Sequence, residues 1–106
     1  MSLDASAGVV DLARALPSDG RAWSSLDVAR TNARTFRLRR MRDVAADWHV
    51  HDAADEGFLV LAGEVVIDVE GESRRLGPQQ MTIVPAGRRH RARAEGEALI
   101  LVFDAL

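Results

Sequence analysis

The stretch DWHVHDAADEGFLVLAGE, residues 47–64, holds two of the chain's three histidines, His49 and His51, followed by Glu56 and an apolar run. On an extended strand, side chains two apart point to the same side, so Asp47, His49 and His51 share one face and Trp48 and Val50 the other. The polar loop DAAD (52–55) lets the chain turn, and Glu56 opens the next strand on the parity of Phe58, Val60 and Ala62. Its carboxylate can then face the interior that the two imidazoles enter. Taken alone, an alternate-residue histidine pair is an ordinary polar edge strand, and a metal needs more ligands than this stretch supplies.

The third histidine, His90, follows the turn VPAG (84–87), and its same-parity neighbours Ala92 and Ala94 are small and apolar while Arg89, Arg91 and Arg93 take the outside. If the three imidazoles and Glu56 converge, they make a nitrogen and oxygen donor set suited to Mn, Fe, Ni, Cu or Zn, whereas calcium would want more oxygens. A bare carboxylate inside an apolar barrel costs several kcal/mol to desolvate, so packing alone would not explain such convergence.

The rest of the chain supports a barrel. From about residue 34 onward, apolar stretches of period two alternate with Gly-containing turns, the signature of an antiparallel sandwich or barrel. Strands are expected at 35–41, 46–51, 57–62, 64–70, 73–76, 81–84, 90–94 and 97–103. Gly63, Gly71 and Gly96 supply the positive φ of tight turns, and VPAG suits a type I turn. Residues 1–33 read differently: VVDLARAL (9–16) is compatible with a helical turn or a strand, and PSDG (17–20) breaks it. This segment is too short to bury a core of its own, so it is expected to pack on the barrel formed by residues 34–106, or on a partner subunit.

Composition bounds the chemistry. Sixteen acidic residues against 14 basic ones give a formal charge of −2, with no global field to draw nucleic acid or an anionic membrane. Every basic residue is Arg, so there is no lysine for Schiff-base chemistry, and with no Cys there is neither a disulfide nor a thiolate. The N-terminus lacks the basic start of a secretory signal, and the longest apolar run, ALILVF (98–103), falls far short of the roughly 20 residues of a membrane helix. A soluble, cytoplasmic protein is the expectation. The arginines at 34, 37, 39, 40 and 42, and at 88, 89, 91 and 93, lack a regular interleaving of aromatics and are expected to pair with acids such as Glu64, Asp68 and Glu70 on outer strand faces.

Two motifs match a family. The run His49, Val50, His51, four residues, Glu56, six residues, Gly63 resembles the first motif of the cupin superfamily, and PAGRRH (85–90) resembles the second. Together they span roughly residues 43–94, and WHVH, DE, VLAGE and VPAGRRH look most like small single-domain bacterial cupins. The resemblance implies a double-stranded β-helix, or jelly-roll barrel, usually dimeric, with His49, His51, Glu56 and His90 as metal ligands. Three positions depart from the pattern: the opening Gly is Asp43, the Gly-Asp before motif two is Gln79-Gln80 with Gly77 displaced, and the closing Asn is Ala94. None is a ligand, so the departures bear on loop conformation and pocket chemistry.

Three His and one Glu leave coordination positions for water, oxygen or a chelating substrate. The expected function is a divalent-metal cupin (Zn, Ni, Mn or Fe) acting on a small molecule by oxygenase, isomerase or lyase chemistry. The alternative is a noncatalytic ligand-binding or sensing module in which the metal is structural. Parity assigns Met41, Phe58, Val60, Met81 and Ala92 to the pocket, with Ala62 and Ala94. Asp47 is the one nearby base outside the ligand set, weighed against a plain solvated acid. Leu59 and Leu61, apolar on the opposite face, need a cover, which a second subunit or the N-terminal segment would supply.

Overall fold

A computed structural model describes residues 8–105. A single helical turn, α1 (Leu12–Ala15), precedes seven strands: β1 (Trp23–Arg30), β2 (Arg34–Ala45), β3 (Glu56–Ala62), β4 (Val65–Val69), β5 (Glu72–Leu76), β6 (Met81–Val84) and β7 (His90–Ala105). All pairings are antiparallel. The long strand β7 organises them. Its first residues pair with β4, so that Val69 lies opposite His90, and its later ones pair with β2 on one side and β3 on the other. The path β1-β2-β7-β3-β6 thus joins the β5-β4 hairpin through β7, which closes the sheet on itself as a jelly roll.

Two apolar layers result. Inside, Met41, Phe58, Val60, Ile67, Ile100 and Val102 are the centre of a fully buried cluster. On the outer face of β1, β2 and β7, Leu26, Val28, Leu38 and Leu99 form a second cluster, covered by Val10, Leu12, Ala15 and Leu16 of the N-terminal segment and reaching Leu61. Strand β1 is not legible in the sequence, because SSLDVAR has too few apolar residues to declare a period; it forms by pairing with Thr35 to Met41 of β2.

Two other expectations fail for one reason, the β-bulge. Residues 90–94 and 97–103 are one strand, and Gly96, at φ 75°, marks a bulge within it. The register against β2 shifts between Arg42 and Val44, and Asp43 adopts φ 47° with its carboxylate accepting from the Gly96 amide at 2.6 Å. Residues 46–51 form no strand either: after Ala46 donates to the Ala92 carbonyl, the only ladder contact is an isolated bridge from His49 to His90.

On the outer face of the barrel, Asp68 on β4 ties three strands. Arg91 and Arg93 of β7 donate to it at 3.0 and 2.8 Å, and Ser73 of β5 at 2.7 Å. Burial raises its carboxyl, but these donors outweigh burial and hold it down at about 2. The outer-face pairing expected for Arg91 and Arg93 is therefore present.

The β3–β4 turn gives a direct test of the packing. Gly63 sits at φ 76°, and a Cβ there would meet the Glu97 carbonyl at 2.3 Å, whereas Gly71, at φ 92°, has open space around it. Gly63→Ala is expected to lose about 2 to 4 kcal/mol of unfolding free energy in urea, and Gly71→Ala only about 1 to 2, the cost of the left-handed conformation alone. Equal losses would contradict the close approach of the turn to β7.

Candidate metal centre

The bulge before His49 positions the site. Continuing the β2–β7 register past Ala45 and Arg93 would set Trp48 opposite His90, and paired residues project to the same side of a sheet. The observed bridge pairs His49 with His90 instead, through reciprocal main-chain hydrogen bonds of 2.9 Å. One extra residue thus sends His49 inward and Trp48 outward, where Arg89 and Arg91 stack on the indole at 5.4 and 5.0 Å. Sequence parity gives the same facing of His49, but by assuming an ideal strand that does not form.

The following loop is tied down at two points. The Gly87 amide donates to the His51 carbonyl at 2.8 Å, and the Ala86 amide to the Asp55 carboxylate at 2.9 Å. The PAG turn thereby fixes both ends of the loop that separates His51 from Glu56. Glu56, buried at the start of β3, points its Oε1 at all three imidazoles, with His90 Nε2 at 2.6 Å, His49 Nε2 at 3.2 Å and His51 Nε2 at 3.4 Å. One donor atom from each of the four residues lies within 4.8 Å of the others.

The ring nitrogens facing away decide the chemistry. His49 Nδ1 donates to the Asp47 carbonyl at 3.1 Å and His90 Nδ1 to the Arg88 carbonyl at 2.8 Å. A carbonyl can only accept, so in the neutral imidazole Nδ1 carries the hydrogen and Nε2 presents a lone pair. Lone pairs of two rings and a carboxylate then point at one another, and His51 Nε2 is buried with no hydrogen-bond partner. Such a cluster requires a cation, either protons on the rings or a metal ion. With protons there, burial works to raise the Glu56 carboxyl, but hydrogen bonds from His90 and His49 and the charge of His51 overcome it and hold it below the ordinary range. The donor set fits a divalent transition metal.

Around these four residues the structure sorts the expected pocket. Phe58 packs against the His90 ring, centroids 5.9 Å apart, and Met41, Val60, Ala92 and Ala94 line the buried interior. Met81 does not belong there. It lies on the outer face of β6 opposite Leu59, 52% exposed, because strand pairing places it on Leu59's side of the sheet. Ala62, displaced by a register shift after Val60, is likewise exposed. Asp47 is exposed, and its contact with the site is through its main-chain carbonyl.

Missing from the sequence reading is a charged strip beside the ligands. Arg37 and Arg39 alternate with Leu38 and share the inward face of Met41 on β2. Arg37 is paired with Asp27 at 2.9 Å and reaches Asp104 at 4.0 Å. Arg39 lies over the Trp23 ring at 4.4 Å; burial pulls its guanidinium down to about 10, against the opposing pull of Glu56 and Asp104. Burial and the charge of Glu56 push the Asp104 carboxyl up, Arg37 working against them. The signal was available: counting back by twos from Met41 reaches both arginines.

Comparison with known proteins agrees with this architecture. A family model described as a cupin domain matches residues 42–104. The uncharacterized protein YdbB of Bacillus subtilis is 41% identical over 49 residues, which make up 45% of this chain and 43% of that protein, less than half of its length. Among solved structures, the TT1209 protein from Thermus thermophilus superposes with a TM-score of 0.82 at 30% identity, covering 92% of this chain and 95% of its own. A cupin-2 domain containing protein from Shewanella frigidimarina gives a TM-score of 0.73 at 27% identity over 79% of this chain and 81% of its own. With a cupin domain model matching residues 42–104, more than half of its length, and the barrel superposing on a solved structure at 30% identity, the chain belongs to the cupin family.

Proposed function

We propose that this cupin binds a divalent transition metal (Zn, Ni, Mn or Fe) through His49, His51, Glu56 and His90 and acts as a metalloenzyme on a small molecule, by oxygenase, isomerase or lyase chemistry. The observation that carries the reading is the asymmetry of the cluster. The side chains of His90 and Glu56 are 2% and 5% exposed, whereas those of His49 and His51 are each 39% exposed. A structural metal is enclosed by its ligands; here one side is sealed by the core and the other opens outward, as a site that exchanges ligands requires. A metal held there would polarise an oxygen of the bound molecule. Phe58 and the apolar interior exclude water from the sealed side, and the Asp47 and Arg88 carbonyls keep the ring nitrogens turned toward the centre.

Purified wild-type protein is expected to take up one ion per chain and to melt higher with added metal, the gain reaching about 2.7 kcal/mol at roughly a hundredfold excess over Kd. His90→Ala should lose both effects. Equal uptake by the two proteins would remove the site, and metal-dependent stabilisation without turnover on small hydroxy and oxo compounds would favour a noncatalytic binding module.

We further propose that the protein is a homodimer that buries the outer face of β3 and β6. Leu59 there lies beside Met81 and Ile83, 52% and 42% exposed, an apolar patch that the covered cluster around Leu26 and Leu38 does not include. Wild-type protein is expected to elute as a dimer at micromolar concentration and Met81→Glu as a monomer; a monomeric wild type would contradict the assignment.

A further inference from the structure

We propose that Arg39 is the anion-recognising residue of this centre, binding the carboxylate of a small acid whose neighbouring hydroxyl or carbonyl oxygen lies on the metal. The proposal rests on the metal-binding reading above and names the class of ligand that would approach the open side.

The arginines on and near β2 differ in what they hold. Arg40, on the outer face, donates from Nε and Nη2 to the Leu16 carbonyl at 3.2 and 2.7 Å and meets Glu97 at 3.5 Å. Arg37 is committed to Asp27 and Asp104. Arg39 has no acceptor among the described residues, and its Nε is buried without a hydrogen-bond partner. A guanidinium that merely stapled β1 to β2 would be satisfied as Arg40 is, since an unmet buried donor is costly. Trp23 covers one face of Arg39 and holds it flat at 4.4 Å, which leaves the edge donors free to present a planar fork.

Position and charge select the ligand. Arg39 lies opposite Ile100 of β7, which lies opposite Val60 of β3, the strand that Glu56 opens, so its side chain enters the same interior as the metal ligands, where the charges of Glu56 and Asp104 reach it. Three carboxylates, Asp27, Glu56 and Asp104, already crowd this strip, and Arg37 is spent on two of them. With one uncommitted cation, the strip suits a monoanion that a planar fork can grip at two oxygens. A phosphate dianion would meet the same carboxylates with too little compensating charge.

The test uses Co2+-loaded full-length protein titrated with lactate and with lactamide, its uncharged counterpart, followed by calorimetry and by the visible absorption of the bound cobalt. Wild type is expected to prefer lactate, and Arg39→Met to cut that preference by roughly tenfold or more while taking up cobalt as wild type does. Arg39→Lys, which keeps the charge without the fork, should fall between. Cobalt-loaded wild type that binds the two compounds alike overturns the proposal alone, as does an Arg39→Met protein that keeps the preference. Wild type that takes up no cobalt overturns the metal reading and this proposal with it. Should Arg39→Met fail to fold, the comparison of the two compounds on wild type and on Arg39→Lys still decides.

Discussion

The main-chain pair between His49 and His90 is the contact from which the centre is built. It joins a segment that has left the sheet to the first residue of its longest strand, and His90 is held from the other side by β4 through Val69. With both neighbours fixed, the imidazoles come to rest 4.3 Å apart between centroids, and His51 follows at 5.1 and 5.8 Å. The register of that pair, one residue removed from an ideal ladder, decides whether a histidine or a tryptophan enters the barrel. Two hydrogen bonds therefore set the composition of the site, and the side chains add its chemistry.

The interior that receives these groups is divided along its length. Phe58, Val60, Ile100 and Val102 make it dry and tightly packed at the middle, while Glu56, Asp104, Arg37 and Arg39 make one end polar. This division follows from burial physics. Charged groups inside a barrel survive only where opposite charges face them, and β2 sets Arg37 against the acids of β1 and β7. The outer arginines Arg91 and Arg93 solve a different problem, pinning β4 to β7 through Asp68.

Much of the fold is legible in residues 47–103 because their alternation is strong and their turns carry glycine. The four candidate ligands are legible because the two motifs are spaced as they are, and the structure brings all four together. Illegible is whatever depends on bulges. Parity counting assumes an unbroken period of two, yet β2 faces inward at Met41 and again at Val44, three residues on. A second irregularity, the extra residue between Ala46 and His49, is why residues 46–51 carry a strand's alternation without forming one. Met81 fails differently, since Val84, three residues further on, is the buried residue of that short strand. Strand β1 has weak alternation and owes its form to its partner, which no local pattern records. The departures from the family pattern keep its geometry all the same: Asp43 and Gln79, standing where glycines were expected, are the two non-glycine residues with positive φ among those described. Asp43 offsets part of that strain with its bond to Gly96.

The two tethers of the loop after His51 carry a consequence for how such a protein can change. Asp55 and the His51 carbonyl are locked to the PAG turn, so the ligand-bearing ends of the loop are held whatever lies between them. Asp52 and Ala53, between those anchors, are exposed and follow directly on His51, itself open to solvent on one side. Substitution there can reshape the entrance without moving a ligand. The variable part of this loop and the four side chains of the candidate metal cluster thus occupy separate positions in the chain, and a lineage can vary one while the other stays in place.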